Sequence, residues 1–524
     1  MLVDRVNRWW GTPFGSQVVN PVVGRSVNYL SWFNQLGVVL FIAGGVTLAG
    51  VTPPGGPLLV WTPVVVLVVY TAVVMTGTST PAGVVAWWGT LTTAVVLGGW
   101  CWAPTGGATL GQGFLLDPLG LPYVFLTVTV TPLVVLAGLD SIRKSQASFY
   151  FWVLFLEATL VLCFCVEDFL VFYILFEVLG FPMFLLIGVY GPRPQRVAAA
   201  YKFFVYTFGG SAFILPVLVY LHWGVGSTGV VFLREYQFTP YEQALFLGLC
   251  SLPFGVKIPL VPVHLWLPEA HVEAPTPISM LLAGLLLKTG GYAFLRFLVP
   301  VFPQGVYLWS PLLGGVGVFS ILVASLYALV QVDIKRMIAY ASVAHISVVF
   351  LGILTGTPGG AAGATYLMLA HGYTSAGLFA GIGVLYDRYH TRTIRYYGGL
   401  AGVTPLLGLT FFVLTLGNLS FPFTGGFTGE FIILAALGGS SLVVCFLAGG
   451  TVFLSLCYSV WLFNRLFYGT TPPGRVHQEL TPPEWGVLGW TALWTLLLGW
   501  GGARFVGATQ ECYVQLLWSC LPPG

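Results

Sequence analysis

Charged side chains are scarce in this chain. Only 7% of its 524 residues are Asp, Glu, Lys or Arg, whereas 57% are hydrophobic. A soluble protein of this length needs a far larger charged surface, so the composition excludes a soluble globular fold. The formal net charge is only +3, and no basic run with interleaved aromatic residues occurs. A nucleic-acid partner is therefore excluded as well.

The motifs of redox, metal and bond-breaking chemistry are also missing. The eight cysteines lie mostly in apolar stretches and form no C-x-x-C pair, whereas zinc and iron–sulfur sites need clustered thiolates. No Walker sequence or nucleophile elbow is present. We therefore predict that the chain itself holds no metal and no cofactor, and that its cysteines are small buried hydrophobic residues.

Apolar runs of membrane-spanning length recur along the whole chain. A transmembrane helix needs about 20 predominantly apolar residues. Such runs lie at 29–50, 57–77, 82–103, 119–139, 148–166, 168–190, 199–222, 243–266, 275–299, 308–331, 336–356, 361–385, 404–448, 450–469 and 485–507. The pattern predicts an all-α polytopic membrane protein with about 14–15 transmembrane helices.

The charges of the loops support this number of crossings. If 404–448 is one interrupted helix, simple alternation places most of the basic loop residues, including Arg143, Arg193 and Arg388, on one side of the membrane. The positive-inside rule requires such an asymmetry. We therefore expect the basic side to be the cytoplasmic or matrix side.

Two apolar runs carry helix breakers at their centres. Pro259 and Pro262 lie within Pro253–Pro268, and Pro422 lies within Asn418–Gly429. Proline removes a backbone donor and clashes with the preceding turn, so both helices should be discontinuous. Broken helices at membrane depth persist only where they are buried in protein or line a water-filled cavity.

Each break falls in the fourth helix of a block of five. This position predicts two inverted five-helix repeats, 148–299 and 308–469, with a transport site between them. Residues 1–140 would then form N-terminal helices with an extension, and residues 470–524 a C-terminal helix and tail.

Ionisable residues inside the apolar runs are the candidate functional residues. A charge at mid-bilayer costs about 3 kcal/mol, so one that persists usually faces an interior cavity and takes part in ion or proton movement. Lys257, Lys288 and Glu177 lie in this position. We expect Glu177 to be a proton carrier or the ion-pair partner of a buried lysine, with a purely structural interhelical hydrogen bond as the alternative.

Histidines and a second glutamate extend this set. His345 and His371 fall in adjacent runs and could carry protons between Lys288 and Glu430, because histidine both accepts and donates a proton near neutrality. Glu430 is a terminal proton site or, alternatively, a cap of the second half-helix, and His264 is a proton site or a backbone cap beside the first break. The predicted site therefore comprises Glu177, Lys257, Lys288, His345, His371, Glu430 and His264.

Other charged residues have simpler explanations. Lys335 lies in the connection QVDIKRMIAY, and His271 and Glu273 lie in PEAHVEAP. We expect both connections at the membrane interface.

Several of these segments together resemble a known family. HLWLPEAHVEAPTPISMLLAGLLLKTGGYAFLRF (264–297), FYILFEVLGFPMFLLIGVYG (172–191) and FPFTGGFTGEF (421–431) resemble the subunit 4 family of the antiporter-like proton-channel subunits of NADH:ubiquinone oxidoreductase, respiratory complex I. Related subunits 2 and 5 usually carry lysine where this chain has Glu430. The resemblance covers roughly 115–470, and residues 1–50 depart from it as an extension with an additional crossing.

The resemblance implies a proton-translocating membrane subunit. Protons would move from Glu177 and Lys257 through Lys288, His345 and His371 to Glu430, coupled to NADH:ubiquinone oxidoreduction in other subunits. Those subunits would hold NADH, FMN, iron–sulfur clusters and ubiquinone, and the partners would be membrane-arm subunits, including antiporter-like neighbours, and lipids. The alternatives are a subunit of a multi-subunit cation/proton antiporter and a purely structural membrane scaffold. The expected location is the mitochondrial inner membrane, with a bacterial plasma membrane as the alternative.

Overall fold

A computed structural model of the chain describes residues 61–75, 82–101, 108–109, 114–470 and 478–518. The predicted crossing at 29–50 lies outside the described residues, as does most of the N-terminal extension. A two-residue antiparallel ladder pairs β1 (Ala108–Thr109) with β2 (Leu115–Leu116). Elsewhere the described chain is predominantly helical, which confirms the predicted all-α class.

The helices follow one another with short connections. In chain order they are α1 (Thr62–Met75), α2 (Ala82–Cys101), α3 (Leu121–Ser141), α4 (Gln146–Cys165), α5 (Phe169–Tyr190), α6 (Arg196–Val225), α7 (Val230–Glu235), α8 (Pro240–Lys257), α9 (Trp266–Glu273), α10 (Thr276–Val301), α11 (Pro303–Leu329), α12 (Ile334–Leu354), α13 (Pro358–Tyr389), α14 (Leu400–Val403), α15 (Pro405–Asn418), α16 (Gly425–Ser440), α17 (Leu442–Phe467) and α18 (Pro482–Trp518).

Membrane-spanning length is common among these helices. Nine helices in the described part of the chain are long and apolar enough to cross a membrane: α3, α4, α5, α6, α10, α11, α12, α13 and α17. Each of the other predicted runs from residue 57 onward also coincides with a helix or with a helix pair around a break. The apolar segments of α10 and α13 are completely buried, whereas that of α17 is only 28% buried. The fold therefore has a protein-enclosed centre formed by α10 and α13.

Polar residues fix the starts of several central helices. Asp168 accepts hydrogen bonds from the backbone amides of Leu170 and Val171 at the start of α5. Asp333 accepts hydrogen bonds from the backbone amides of Lys335 and Arg336 at the start of α12. Thr357 accepts one from the Gly360 amide at the start of α13. Such caps satisfy amides that the first turn of a helix leaves unpaired.

Both predicted helix breaks are present. α8 continues through Pro253, ends at Lys257, and is followed by α9 only at Trp266. The indole Nε1 of Trp266 donates a hydrogen bond of 2.9 Å to the Val256 carbonyl and so ties the two sides of this break together. The second break separates α15, which ends at Asn418, from α16, which begins at Gly425.

One predicted boundary was wrong. The interrupted helix was expected to extend to residue 448, but α16 ends at Ser440 and α17 begins at Leu442. The backbone at Ser441 is extended, and its side chain accepts a hydrogen bond from the Val444 amide. The sequence does not reveal this turn, because apolar residues continue on both sides of Ser440 and Ser441. The two inverted repeats stay a prediction.

A buried ion cluster joins α10 to two interhelical connections. The guanidinium of Arg296 contacts Asp117, and its Nη2 lies 3.5 Å from Oε1 of Glu167. Arg296 is only 2% exposed and Asp117 only 6%. Asp117 precedes α3 and Glu167 follows α4, so this one guanidinium holds three helices in register.

Arg296→Gln should strongly destabilise the protein. Removing one partner from a buried ion pair leaves uncompensated charges, at a cost of about 3–5 kcal/mol. The midpoint of thermal unfolding in native membranes measures the loss. The exposed Arg336 provides the control, because Arg336→Gln should change stability by less than about 0.5 kcal/mol. Equal midpoints for the two variants would contradict a stabilising role of the cluster.

Candidate functional site

Lys288 lies at the protein-enclosed centre of the bundle. It is fully buried on α10, and its Nζ lies 3.0 Å from Nδ1 of His371 on α13. Nζ also donates to the Ala283 carbonyl, at 2.5 Å. A wide i→i+5 turn over Leu282–Leu286 ends two residues before Lys288, and such helix irregularities are frequent at functional sites.

A second titratable pair lies beside the first. Nδ1 of His345 on α12 lies 2.9 Å from Oε1 of Glu430 on α16. Glu430 lies beyond the first turn of α16, and that turn contains no acidic residue. The alternative role of Glu430 as a helix cap is therefore not supported.

The two pairs approach each other through their histidine rings. The ring centroids of His345 and His371 are 5.6 Å apart, and the Nε2 atom of each ring is buried without a hydrogen-bond partner in the described part of the chain. Both rings line a cavity whose free volume is about 10 Å³, which is enough for one water molecule. Thr374 also lines this cavity, together with Asn418, Ser420 and Gly426 at the second helix break. Lys288, His371, His345 and Glu430 therefore form one row, hereafter the central row.

Glu177 and Lys257 lie at the other end of the predicted site. Lys257, at the end of α8, is 4% exposed, and its Nζ lies 4.4 Å from the centroid of the Phe176 ring. Such a cation–π contact favours a desolvated ammonium group. Glu177 follows Phe176 on α5 and is within electrostatic range of Lys257. None of the ion pairs in the described ranges joins the two charges directly.

His264 lies apart from the central row. It is in the first helix break and is 3% exposed. Its ring centroid is 6.0 Å from that of Tyr340. The structure thus brings four of the seven predicted residues into one row, Glu177 and Lys257 into proximity, and His264 into the break beside them.

Sequence reasoning underestimated the burial of two other basic residues. His271 and Lys335 were expected at the membrane interface, but they are 0% and 4% exposed. Lys335 donates to the Ala274 carbonyl at 2.8 Å and to Ser279 Oγ at 3.2 Å, and the His271 ring stacks on Phe379 with centroids 4.5 Å apart. His271 is within electrostatic range of both Lys288 and Lys335. The PEAHVEAP segment has the composition of a loop, and its packing against α6 and α12 buries it.

The described residues offer no metal site. Among the residues that the structure describes, no group of three or more His, Cys, Asp or Glu side chains is arranged to hold a metal ion. The central row contains one lysine, two histidines and one glutamate, a set of groups that can pass protons from one to the next.

A close helix contact positions Glu430. A Cβ atom on the preceding residue, Gly429, would lie 2.8 Å from the backbone Cα of Leu367 on α13. Since backbone cannot move aside as a flexible side chain can, glycine is required for α16 to approach α13 this closely. This contact brings the glutamate within reach of His345.

Gly429→Ala should therefore destabilise the protein by about 1–3 kcal/mol, because overpacking forces the two helices apart. Thermal unfolding in native membranes tests this. Gly439, on the same helix, is the matched control, since a Cβ there would meet nothing within 4 Å. Gly439→Ala should be neutral or stabilising by up to about 1 kcal/mol. If both variants behave alike, the contact does not limit the approach of α16.

Comparison with known proteins identifies the family of this chain. Residues 166–455 match the family model described as NADH:quinone oxidoreductase/Mrp antiporter, TM. The chain is 40% identical over 361 residues to NADH-ubiquinone oxidoreductase chain 4 of Marchantia polymorpha, covering 69% of this chain and 73% of that one. It is 41% identical over 406 residues to the chain of the same name from Chondrus crispus, covering 77% and 82%.

Solved structures show the same fold. A chain in respiratory complex I from Thermus thermophilus with bound NADH superposes with a TM-score of 0.79 at 29% identity, covering 88% of this chain and 99% of that one. A chain of the archaeal membrane-bound sulfane sulfur reductase superposes with a TM-score of 0.74 at 20% identity, covering 84% and 75%, a likeness of fold alone. From the match over 166–455 and the relatives of about 40% identity, the chain belongs to the NADH:quinone oxidoreductase/Mrp antiporter family of multi-span membrane proteins.

Proposed function

We propose that this chain is a proton-translocating membrane subunit of respiratory complex I. The central row carries the proposal, because Lys288, His371, His345 and Glu430 form two direct contacts inside a bundle of membrane-spanning helices, and the two histidines line one water-sized cavity. Ion pathways are the usual reason for ionisable residues at such depth. The relatives named NADH-ubiquinone oxidoreductase chain 4 favour this function over that of a cation/proton antiporter subunit.

The orientation of the two imidazoles suits proton transfer along the row. Each ring has Nδ1 against a charged partner, Lys288 or Glu430, and leaves Nε2 without a partner. An imidazole can bind a proton at one nitrogen and release another from the opposite nitrogen. A proton from Lys288 would thus reach Nδ1 of His371, and one would leave from Nε2. After crossing the gap through a water molecule, the transfer would repeat in reverse order at His345 and end on Glu430.

The pair Glu177 and Lys257 would couple the row to its surroundings. A change of charge at Glu177 would alter the energy of a proton on Lys257, and Lys257 would in turn act on Lys288. Two unit charges 4 Å apart interact by about 4 kcal/mol at the effective dielectric of a protein site, and a pair farther apart, as here, interacts by less. Moving one charge across 100 mV costs about 2.3 kcal/mol, so the two energies are of the same order.

The chain would work only as part of the larger complex. Its partners would be other membrane-arm subunits, including antiporter-like neighbours, and lipids. The redox reaction of NADH and ubiquinone would take place in other subunits, which hold FMN and the iron–sulfur clusters. The eukaryotic relatives support the mitochondrial inner membrane as its location.

Replacing Lys288 by methionine in the assembled complex tests the proposed function. Lys288→Met keeps an unbranched side chain of similar length but removes the proton-binding group, so proton pumping coupled to ubiquinone reduction should fall by about 100-fold or more. NADH oxidation with an artificial electron acceptor should persist. Lys202→Met is the control, because Lys202 pairs with Glu269 at a partly exposed position. Normal pumping by the Lys288 variant would refute the function.

Glu430→Gln tests the other end of the central row. Glutamine keeps the shape and one oxygen acceptor for His345 but cannot bind and release a proton. We expect pumping to fall by at least about tenfold while the complex assembles normally. Glu511, exposed on α18, is the control, and Glu511→Gln should pump normally. Loss of assembly in the Glu430 variant alone would instead assign this carboxylate a structural role.

A further inference from the structure

A second small cavity lies on the other side of Glu430. It is lined by residues of four helices, among them Ser325 of α11, Ala344 and His345 of α12, Glu430 of α16, and Ser455 and Tyr458 of α17. Its free volume is about 10 Å³, again the size of one water molecule. Ser325 and Tyr458 belong to two helices that contribute nothing to the central row.

Two hydroxyl groups at this cavity have no hydrogen-bond partner among the residues that the structure describes. The Oγ atom of Ser325 and the phenolic oxygen of Tyr458 are both buried without a hydrogen bond, and each residue is only 1% exposed. Buried polar groups are normally hydrogen-bonded, since an unpaired one loses its hydration without compensation. Two such groups beside a carboxyl group at one cavity indicate a common ligand with at least two hydrogen-bonding directions.

Several buried polar residues of α17 line this cavity. Thr451, Ser455, Tyr458 and Ser459 are all buried, and their spacing of three to four residues puts them on one face of the helix. The apolar segment of α17 is otherwise only 28% buried, so this face is the part that turns inward. At its far end Ser459 Oγ accepts a hydrogen bond of 2.9 Å from Nδ2 of Asn418 at the second helix break.

We propose that this cavity is a binding site for one water molecule, held by Ser325 and Tyr458 against the carboxyl group of Glu430. Tyr458 is then a positioning residue for proton exchange at Glu430. Water can donate to the ionised carboxylate and accept from the protonated acid, so the same molecule stabilises both protonation states. Because this role concerns how Glu430 exchanges its proton, it rests on the proposed function.

Two variants remove the water in different ways. Tyr458→Phe deletes only the hydroxyl group, whereas Ala344→Val fills the cavity and leaves every polar group in place. Tyr150→Phe is the control, since Tyr150 on α4 is also a buried tyrosine whose hydroxyl has no hydrogen bond. All three are made in the complete complex.

Three measurements then test the site. A density map of the wild-type complex that resolves internal water should show one peak within hydrogen-bond distance of Glu430 and Tyr458, and both variants should lack it. The infrared carbonyl band of protonated Glu430, identified by its loss in Glu430→Gln, should shift in both variants but not in Tyr150→Phe. Pumping should fall about three- to tenfold in both variants, the factor that corresponds to the net free energy of one hydrogen bond.

The outcomes separate this inference from the proposed function. If Lys288→Met abolishes pumping while Tyr458→Phe and Ala344→Val pump normally with an unshifted carbonyl band, the water site is refuted and the function stands. A wild-type map without density at this position would also refute the site. If Lys288→Met pumps normally, the proposed function fails first, and the water peak by itself would no longer support a role in proton exchange.

Discussion

A charged side chain at membrane depth must be enclosed by protein or water, because hydrocarbon offers it neither hydrogen bonds nor a high dielectric. This constraint accounts for the arrangement of the helices around Lys288. The two helices that carry Lys288 and His371, α10 and α13, are buried over their whole apolar segments. Helices such as α11 and α17 lie outside them and leave large apolar side chains exposed, including Leu312 and Phe453.

Broken helices make the enclosed centre polar without exposing backbone to lipid. The second break places Asn418 and Ser420 beside the gap between the two histidines. The first break ends α8 at Lys257, which brings the ammonium group to the Phe176 ring instead of continuing the helix past it. In both places an interruption of regular structure provides the space and the polar groups that a row of titratable residues needs.

The central row contains two hydrogen-bond contacts and is bordered by two small cavities. Lys288 and His371 are in hydrogen-bond contact, as are His345 and Glu430, whereas the centroids of the two histidine rings are 5.6 Å apart and both rings line one small cavity. Another small cavity is lined by Glu430 and His345. Under the proposed function, proton movement along the row would depend on individual water molecules, so that small changes in helix position would open or interrupt it. The close approach of Gly429 to α13 shows how narrowly these positions are set.

Composition and the recurrence of apolar runs alone determined the membrane class, the helical fold and the two breaks, since lipid imposes length and polarity requirements that a sequence displays directly. The same reasoning found Lys288 and Glu430, because an isolated charge in an apolar run is conspicuous. Only the tertiary structure decided which groups meet. It buried His271 and Lys335, which lie in segments with the composition of loops, and it gathered Ser325 and Tyr458 from distant helices around Glu430. Hydroxyl groups are common in membrane helices and can bond to their own backbone, so their meaning depends on neighbours that are remote in the chain.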